Sequence, residues 1–126
     1  MKRKKQPEES PTPYAKMLEK EMGRVDFELT AEEIERRIRG FDPYPTVYAW
    51  YRGKQLKLFR AEVAEGKENA ALGEIIAVTD RGFTVQFKDR GLLILEVQPE
   101  GKKRMDAPAY LRGARMTAGE MLSDHG

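Results

Sequence analysis

The sequence predicts a mainly β domain with short helices: a small five-stranded antiparallel barrel, one capped helix before it and a short helix after it. Three observations carry this reading. Between Val47 and Gln98, five short apolar-rich runs are separated by turns that contain glycine. In the second run the apolar phase slips from Leu56 and Leu58 to Phe59, Ala61 and Val63, the mark of a β-bulge, which curls a sheet. Ahead of these strands, Thr30 to Gly40 carries the start, stripe and stop signals of one amphipathic helix.

Taken in order, residues 1–13 are charged, contain Pro7, Pro11 and Pro13, and lack apolar periodicity, so they read as a disordered linker or arm. The barrel domain is expected over 14–118, with 119–126 as a flexible tail. Tyr14, Met17, Leu18 and Met22 are spaced for one face of a short helix ending at Gly23. Val25, Phe27 and Leu29 then alternate as extended chain does. Thr30 as N-cap and Glu33 three residues on make a capping box, with Leu29 and Ile34 as its staple. Ala31, Ile34 and Ile38 form the apolar stripe, and Gly40 is expected as a left-handed C-cap. Glu32–Arg36, Glu33–Arg37 and Glu35–Arg39 are i,i+4 pairs in the favourable order, so these arginines read as a salt-bridged face before they read as phosphate contacts. Phe41-Asp42-Pro43-Tyr44-Pro45 is a connector stiffened by two prolines.

The strands follow. Val47 to Arg52 and Gln55 to Val63 form a hairpin around Gly53-Lys54, and Ala64 to Leu72 a polar loop. Gly73 to Thr79, Phe83 to Lys88 and Leu92 to Gln98 are joined by Asp80-Arg81-Gly82 and Asp89-Arg90-Gly91. Phe83, Val85 and Phe87 face one way; Thr84, Gln86 and Lys88 face the other. Five short strands with tight turns argue for closure into a barrel of the OB kind, since an open sheet leaves edges to pair with neighbours. Pro99-Glu100-Gly101 ends the last strand and runs into Lys102-Lys103-Arg104, which places three cations on a tethered rim. Ala107 to Arg112 then makes a helical turn opened by Asp106 and Pro108 and closed at Gly113.

With 126 residues the chain suits one domain with one modest core. It has no cysteine, which excludes disulfides and Cys-based zinc sites and suits a reducing cytoplasm. The apolar run Leu92–Leu95 is too short to span a bilayer, and Gln6-Pro7-Glu8 follows the basic Met1–Lys5 where a signal peptide has its apolar core. No membrane association or export is expected. The net charge is +2, but Lys2, Arg3, Lys4 and Lys5 contribute four positive charges, leaving residues 6–126 net negative. An argument for a polyanionic partner therefore rests on local clusters.

Catalytic chemistry is thin. The single histidine, His125, stands next to the C-terminus, Ser10 and Ser123 fall in expected tails, and neither a phosphate-binding glycine loop nor metal-ligand spacing occurs. What remains is cationic. Lys54, Lys57 and Arg60 lie within one hairpin with no acid among them; Lys102, Lys103, Arg104, Arg112 and Arg115 follow the last strand, opposed only by Asp106 and Glu120 nearby. The two groups on one barrel would form a stripe that tracks a phosphate backbone, against the alternative of ordinary solubilising surface. Tyr48 and Trp50 share a strand face, for which core packing is the first reading and base stacking the second.

Tyr14-Ala15, Gly23-Arg24-Val25-Asp26-Phe27, the block Arg36 to Pro45, Leu56-Lys57-Leu58, the run Gln98 to Met105 and Tyr110-Leu111-Arg112-Gly113 together resemble, in order and spacing, the C-terminal domain of methionyl-tRNA formyltransferase. The likeness covers nearly all the chain after about residue 13. The family usually has Phe-Asn-Pro-Trp-Pro-Gly where this chain has Phe41-Asp42-Pro43-Tyr44-Pro45-Thr46. The resemblance implies an OB-type barrel that holds initiator methionyl-tRNA through its backbone. A separate N-terminal domain would carry the catalytic Asn, His and Asp and bind 10-formyltetrahydrofolate. On this reading the chain is a non-catalytic, monomeric, cytoplasmic half whose partners are tRNA and that catalytic domain. Its tRNA contacts are then Lys102, Lys103 and Arg104, followed by Lys54, Lys57, Arg60, Arg112 and Arg115. The alternative is a structural module of a sugar-nucleotide or folate formyltransferase with no RNA role.

Overall fold

A computed structural model of the chain describes residues 22–42 and 45–125. The expected arm at 1–13, most of the expected first helix, and Pro43 and Tyr44 of the connector lie outside the described residues.

Helix α1, Ala31–Gly40, begins as its sequence requires. Thr30 is extended (φ −75°, ψ 156°), its hydroxyl accepts from the Glu33 N–H at 3.2 Å, and its own N–H donates to Glu33 Oε1 at 3.1 Å. Glu33 is thereby committed to the cap, whose bonds hold its carboxyl below the usual range, and it makes no ion pair with Arg37; Glu32–Arg36 and Glu35–Arg39 do form. Asp89 fixes the entry of the helix by accepting from the Ala31 N–H at 3.0 Å. The other end differs from expectation. Gly40 is the last helical residue, and the C-cap is Phe41 at φ −96°, so no left-handed residue is used.

The strands are β1 (Val47–Tyr51), β2 (Lys54–Ala64), β3 (Ile75–Val78), β4 (Phe83–Gln86), β5 (Gly91–Pro99), β6 (Met105–Asp106) and β7 (Leu122–Ser123), with α2 (Ala107–Ala114) between the last two. All pairings between named strands are antiparallel, in the order β3-β4-β5-β2-β1-β7, with β6 beside β5. The five expected strands are present, and two short ones extend the sheet. Seven occur among the described residues because Met105–Asp106 folds back beside β5 across the rim turn and Leu122–Ser123 finds a partner far away in sequence, in β1.

The C-terminal segment closes the barrel. Ser123 and Leu122 pair with Trp50 and Tyr51 on one side. On the other, the Gly119 N–H donates to Ile75 O, Ile75 N–H to Glu120 O and Leu122 N–H to Gly73 O, each at 2.8–2.9 Å. Both outer strands, β1 and β3, are thereby covered. Residues 119–123, expected as tail, are structural, and Leu122 is buried among the core side chains.

The first hairpin turns at Arg52-Gly53, one residue before the expected pair, with φ +53° and +80°, as the primed two-residue turns require. The bulge lies where the apolar phase slips. Leu58 pairs with Val97 and Arg60 with Glu96, so Phe59 is extra on β2. The core gathers Leu56, Leu58, Ile75, Phe83, Val85, Leu92, Ile94 and Val97 from the strands with Ile34 and Ile38 of α1, each contributing about 1.5–3 kcal/mol by leaving water. Thr84 and Gln86 are buried too, although expected on the outer face. The loop after β2 covers them, and Gln86 Oε1 accepts from the Lys67 N–H at 2.8 Å while its amide donates to Phe87 O. Gly82 serves close approach rather than a left-handed turn: a Cβ there would stand 2.0 Å from the Ile94 carbonyl oxygen.

Among the described residues, no helix is long and apolar enough to cross a membrane, and no cluster of His, Cys, Asp or Glu is suited to hold a metal.

Candidate nucleic-acid interface

The rim after β5 is held at several points. Gly101 at φ +76° allows the Lys102 N–H to reach back to Pro99 O at 3.1 Å. The Gln98 side chain donates to Lys102 O at 2.9 Å. Glu100 is tied to β2 twice: its carboxylate accepts from the Gln55 N–H at 3.0 Å, and its own N–H donates to Gln55 O at 3.1 Å. Lys102 and Lys103 therefore project from a fixed turn, both exposed, and neither makes an ion pair among the described residues.

Arg104 ends the same run in a different way. Its Nε donates to Glu96 Oε2 at 2.8 Å, Nη2 reaches Glu96 Oε1 and Asp42 Oδ2 at 3.3 Å, and the guanidinium lies 4.0 Å from the centre of the Phe59 ring. The bulge is the cause, because it leaves Phe59 half-buried where the arginine can cover it. Glu96 raises the Arg104 pKa further, chiefly through the hydrogen bond. The acids opposing this run are Glu96 and Asp42, not the expected Asp106 and Glu120.

The remaining site residues divide in the same manner. Lys54 is exposed at the start of β2 and shares a groove with Lys102. Lys57, half-buried, lies in register between Tyr48 and Gln98 on the outer face of the sheet, beside the Pro99–Gly101 turn. Arg60 is exposed beyond the bulge, on the register of Glu96. Arg112 is exposed on α2, which runs past Gly113 to Ala114 and is capped by Arg115 at φ +54°. Lys54 and Lys102 thus flank one depression beside the Pro99–Gly101 turn, and Lys57 lines a second one on the other face of β2, with Lys103 next to Lys102 in the chain. Arg60, Arg112 and Arg115 do not line either depression beside it.

Tyr48 and Trp50 are not core. Val47, Ala49 and Tyr51 point inward, while the other two rings pack edge-on at 5.3 Å on the half-buried outer face.

Sequence reasoning missed Arg52. Its guanidinium bonds Glu120 at 3.0 and 3.1 Å and Ala114 O at 2.8 Å, and lies 4.8 Å from the Tyr51 ring centre. Glu120 also accepts from the Thr117 N–H at 2.7 Å and from the Tyr51 hydroxyl at 2.9 Å. These bonds, led by that from Thr117, hold its carboxyl down at about 2, while burial and Glu120 together push the Tyr51 phenol well above its usual range. The clamp ties the β1–β2 turn to the end of α2 and to the closing segment. Its one sequence signal is Arg-Gly at a two-residue hairpin turn, a place where the positive φ is uncommon for arginine.

Between the hairpin and α2 runs a groove of about 470 Å³, floored by Leu56, Pro99, Met105 and Tyr110 and flanked by Lys54 and Lys102.

Fold and rim together define a small OB-like barrel domain with a fixed cationic edge. Residues 17–115 match the family Formyl transferase, C-terminal domain, and the chain belongs to that family. It is 39% identical over 122 residues to the methionyl-tRNA formyltransferase of Lachnospira eligens, covering 93% of this chain and 39% of the relative. Against the methionyl-tRNA formyltransferase of Magnetococcus marinus it is 42% identical over 119 residues, covering 94% and 37%. The chain spans about two fifths of the length of these curated relatives. Among solved structures, HypX from Aquifex aeolicus in complex with tetrahydrofolic acid aligns with a TM-score of 0.60 at 23% identity, over 74% of this chain and 17% of that one, a likeness of fold alone. The family read from the sequence blocks is thereby borne out.

Proposed function

We propose that this barrel is the tRNA-binding part of a methionyl-tRNA formyltransferase. It holds initiator methionyl-tRNA by its phosphate backbone while a separate N-terminal domain transfers the formyl group. The observation that carries this is a pinned turn with Lys54 and Lys102 flanking one depression beside it, Lys57 lining another and Lys103 next to Lys102 in sequence, in a chain about 40% identical to methionyl-tRNA formyltransferases. Cations without acidic partners on a rigid edge lose little side-chain pairing when they meet phosphate, and release the counterions condensed there. The chain does no chemistry alone. The donor, 10-formyltetrahydrofolate, binds the catalytic domain, and the barrel supplies affinity and orientation as a monomer in the cytoplasm. Arg60, Arg112 and Arg115 add outlying contacts, whereas Arg104 acts by holding the rim.

Fluorescence anisotropy of labelled initiator tRNA against the chain, across a salt series, tests this. The expected result is binding whose log Kd rises steeply with log salt. No binding at low salt, both alone and with the catalytic domain added, would sink the reading; binding only with that domain present would support it through effective concentration.

A further inference from the structure

We propose, resting on the RNA-binding reading above, that the groove between the start of β2 and α2 seats one unpaired nucleotide of an RNA strand. The base lies on the apolar floor, and Lys54 and Lys102 hold the flanking phosphates. Its size, about 470 Å³, is in the range of about 300–1,000 Å³ that seats small planar ligands. The floor is apolar and partly aromatic, from Leu56, Pro99, Met105 and Tyr110. Such a surface takes any base by its π face. Tyr110 is half-buried beside Tyr51, and its hydroxyl makes no hydrogen bond among the described residues, leaving a donor and acceptor for a base edge.

The charge of the rim selects the occupant. Lys54 and Lys102 carry no ion pair among the described residues, and the one acid in the lining, Glu100, has an oxygen committed to the Gln55 N–H. Arg52 donates to the carbonyl of Ala114 at the end of α2, which offsets part of the negative pole that helix would turn toward an anion. An extended peptide finds no strand edge here, since Leu56 of β2 is paired on both sides, with Ala49 and Pro99. Apolar floor and paired cations together fit a base with a phosphate on each side.

The test uses the chain, a fluorescein-labelled six-nucleotide RNA strand, and a blunt RNA duplex of the same length. Gly113→Phe fills the groove and leaves every cation in place; a Cβ at 113 meets nothing within 4 Å, so the helix accepts it. Ala109→Leu is the second filler. The expected result is a tenfold or greater weakening of single-strand binding by both variants, with duplex binding within twofold of wild type. Unchanged single-strand affinity in folded variants, or equal weakening of strand and duplex, would overturn the groove assignment alone. Loss of catalytic-domain binding with strand binding intact would hand the groove to protein and overturn it too. If wild type binds neither RNA at low salt, even with the catalytic domain, the RNA reading itself falls.

Discussion

Lys102 and Arg104 stand two residues apart and do opposite things. Lys102 is exposed, flanks a groove and makes no ion pair among the described residues, while Arg104 is covered by Glu96, Asp42 and Phe59. Arg52 and Lys54 repeat the contrast across the first hairpin, where one is locked to Glu120 and the other points to solvent. In both places an arginine builds the edge and a lysine is presented by it. Guanidinium geometry suits this division, because its planar fork satisfies a carboxylate at two points while ammonium is a compact, well-hydrated charge. A count of positive residues would treat all four alike; only their partners separate the paired arginines from the unpaired lysines.

The contrast is broken most forcefully by loosening the closure that Arg52 clamps. Leu122→Ala is expected to cost about 2–4 kcal/mol, since the side chain is buried in the core and opens the seam between β1 and β3. Urea denaturation measures it, and a loss under about 0.5 kcal/mol would mean the segment is a tail after all.

Acid weakens the clamp. The Glu120 carboxyl is held at about 2 against an ordinary 4.5, so its stabilising effect is complete above pH 4.5 and fades as pH falls toward 2. Glu120→Gln should lower the melting temperature at pH 7 and lose less than wild type on going to pH 3. Parallel pH profiles would contradict the assignment.

Smaller still is Arg104→Ala, expected to cost under about 1 kcal/mol because the pair is 41% exposed on the arginine side. Its larger effect should be on order at the rim, seen as faster amide exchange at Lys102 and Lys103. Lys102→Ala with Lys103→Ala should leave stability within about 0.5 kcal/mol of wild type by the same urea measurement.

Local signals were legible where they were self-contained. The Thr30–Glu33 capping box and the bulge at Phe59 are each written in a few neighbouring residues, and both formed where read. The rim turn was legible because Pro99 and Gly101 leave the backbone few options. What was hidden depends on partners distant in sequence. Leu122–Ser123 is too short to announce itself as a strand and becomes one only against Trp50 and Tyr51. The Lys-Lys-Arg run looked uniform because Asp42 and Phe59 lie far back in the chain, and Glu96 on the other side of a turn. Thr84 and Gln86 alternated as outer-face residues do, but a loop folded over them.

The central claim is that lysines contact phosphate where arginine holds the rim. Its most direct test is the salt dependence of initiator-tRNA binding, with the catalytic domain added if binding needs it, for wild type, Lys102→Ala/Lys103→Ala and Arg104→Ala. Lys102→Ala/Lys103→Ala is expected to flatten the log–log slope by about 2 without a change in melting temperature. Arg104→Ala is expected to lower the melting temperature and to move the slope by less than about 1. A slope that falls with Arg104→Ala and is untouched by the lysine pair would contradict it.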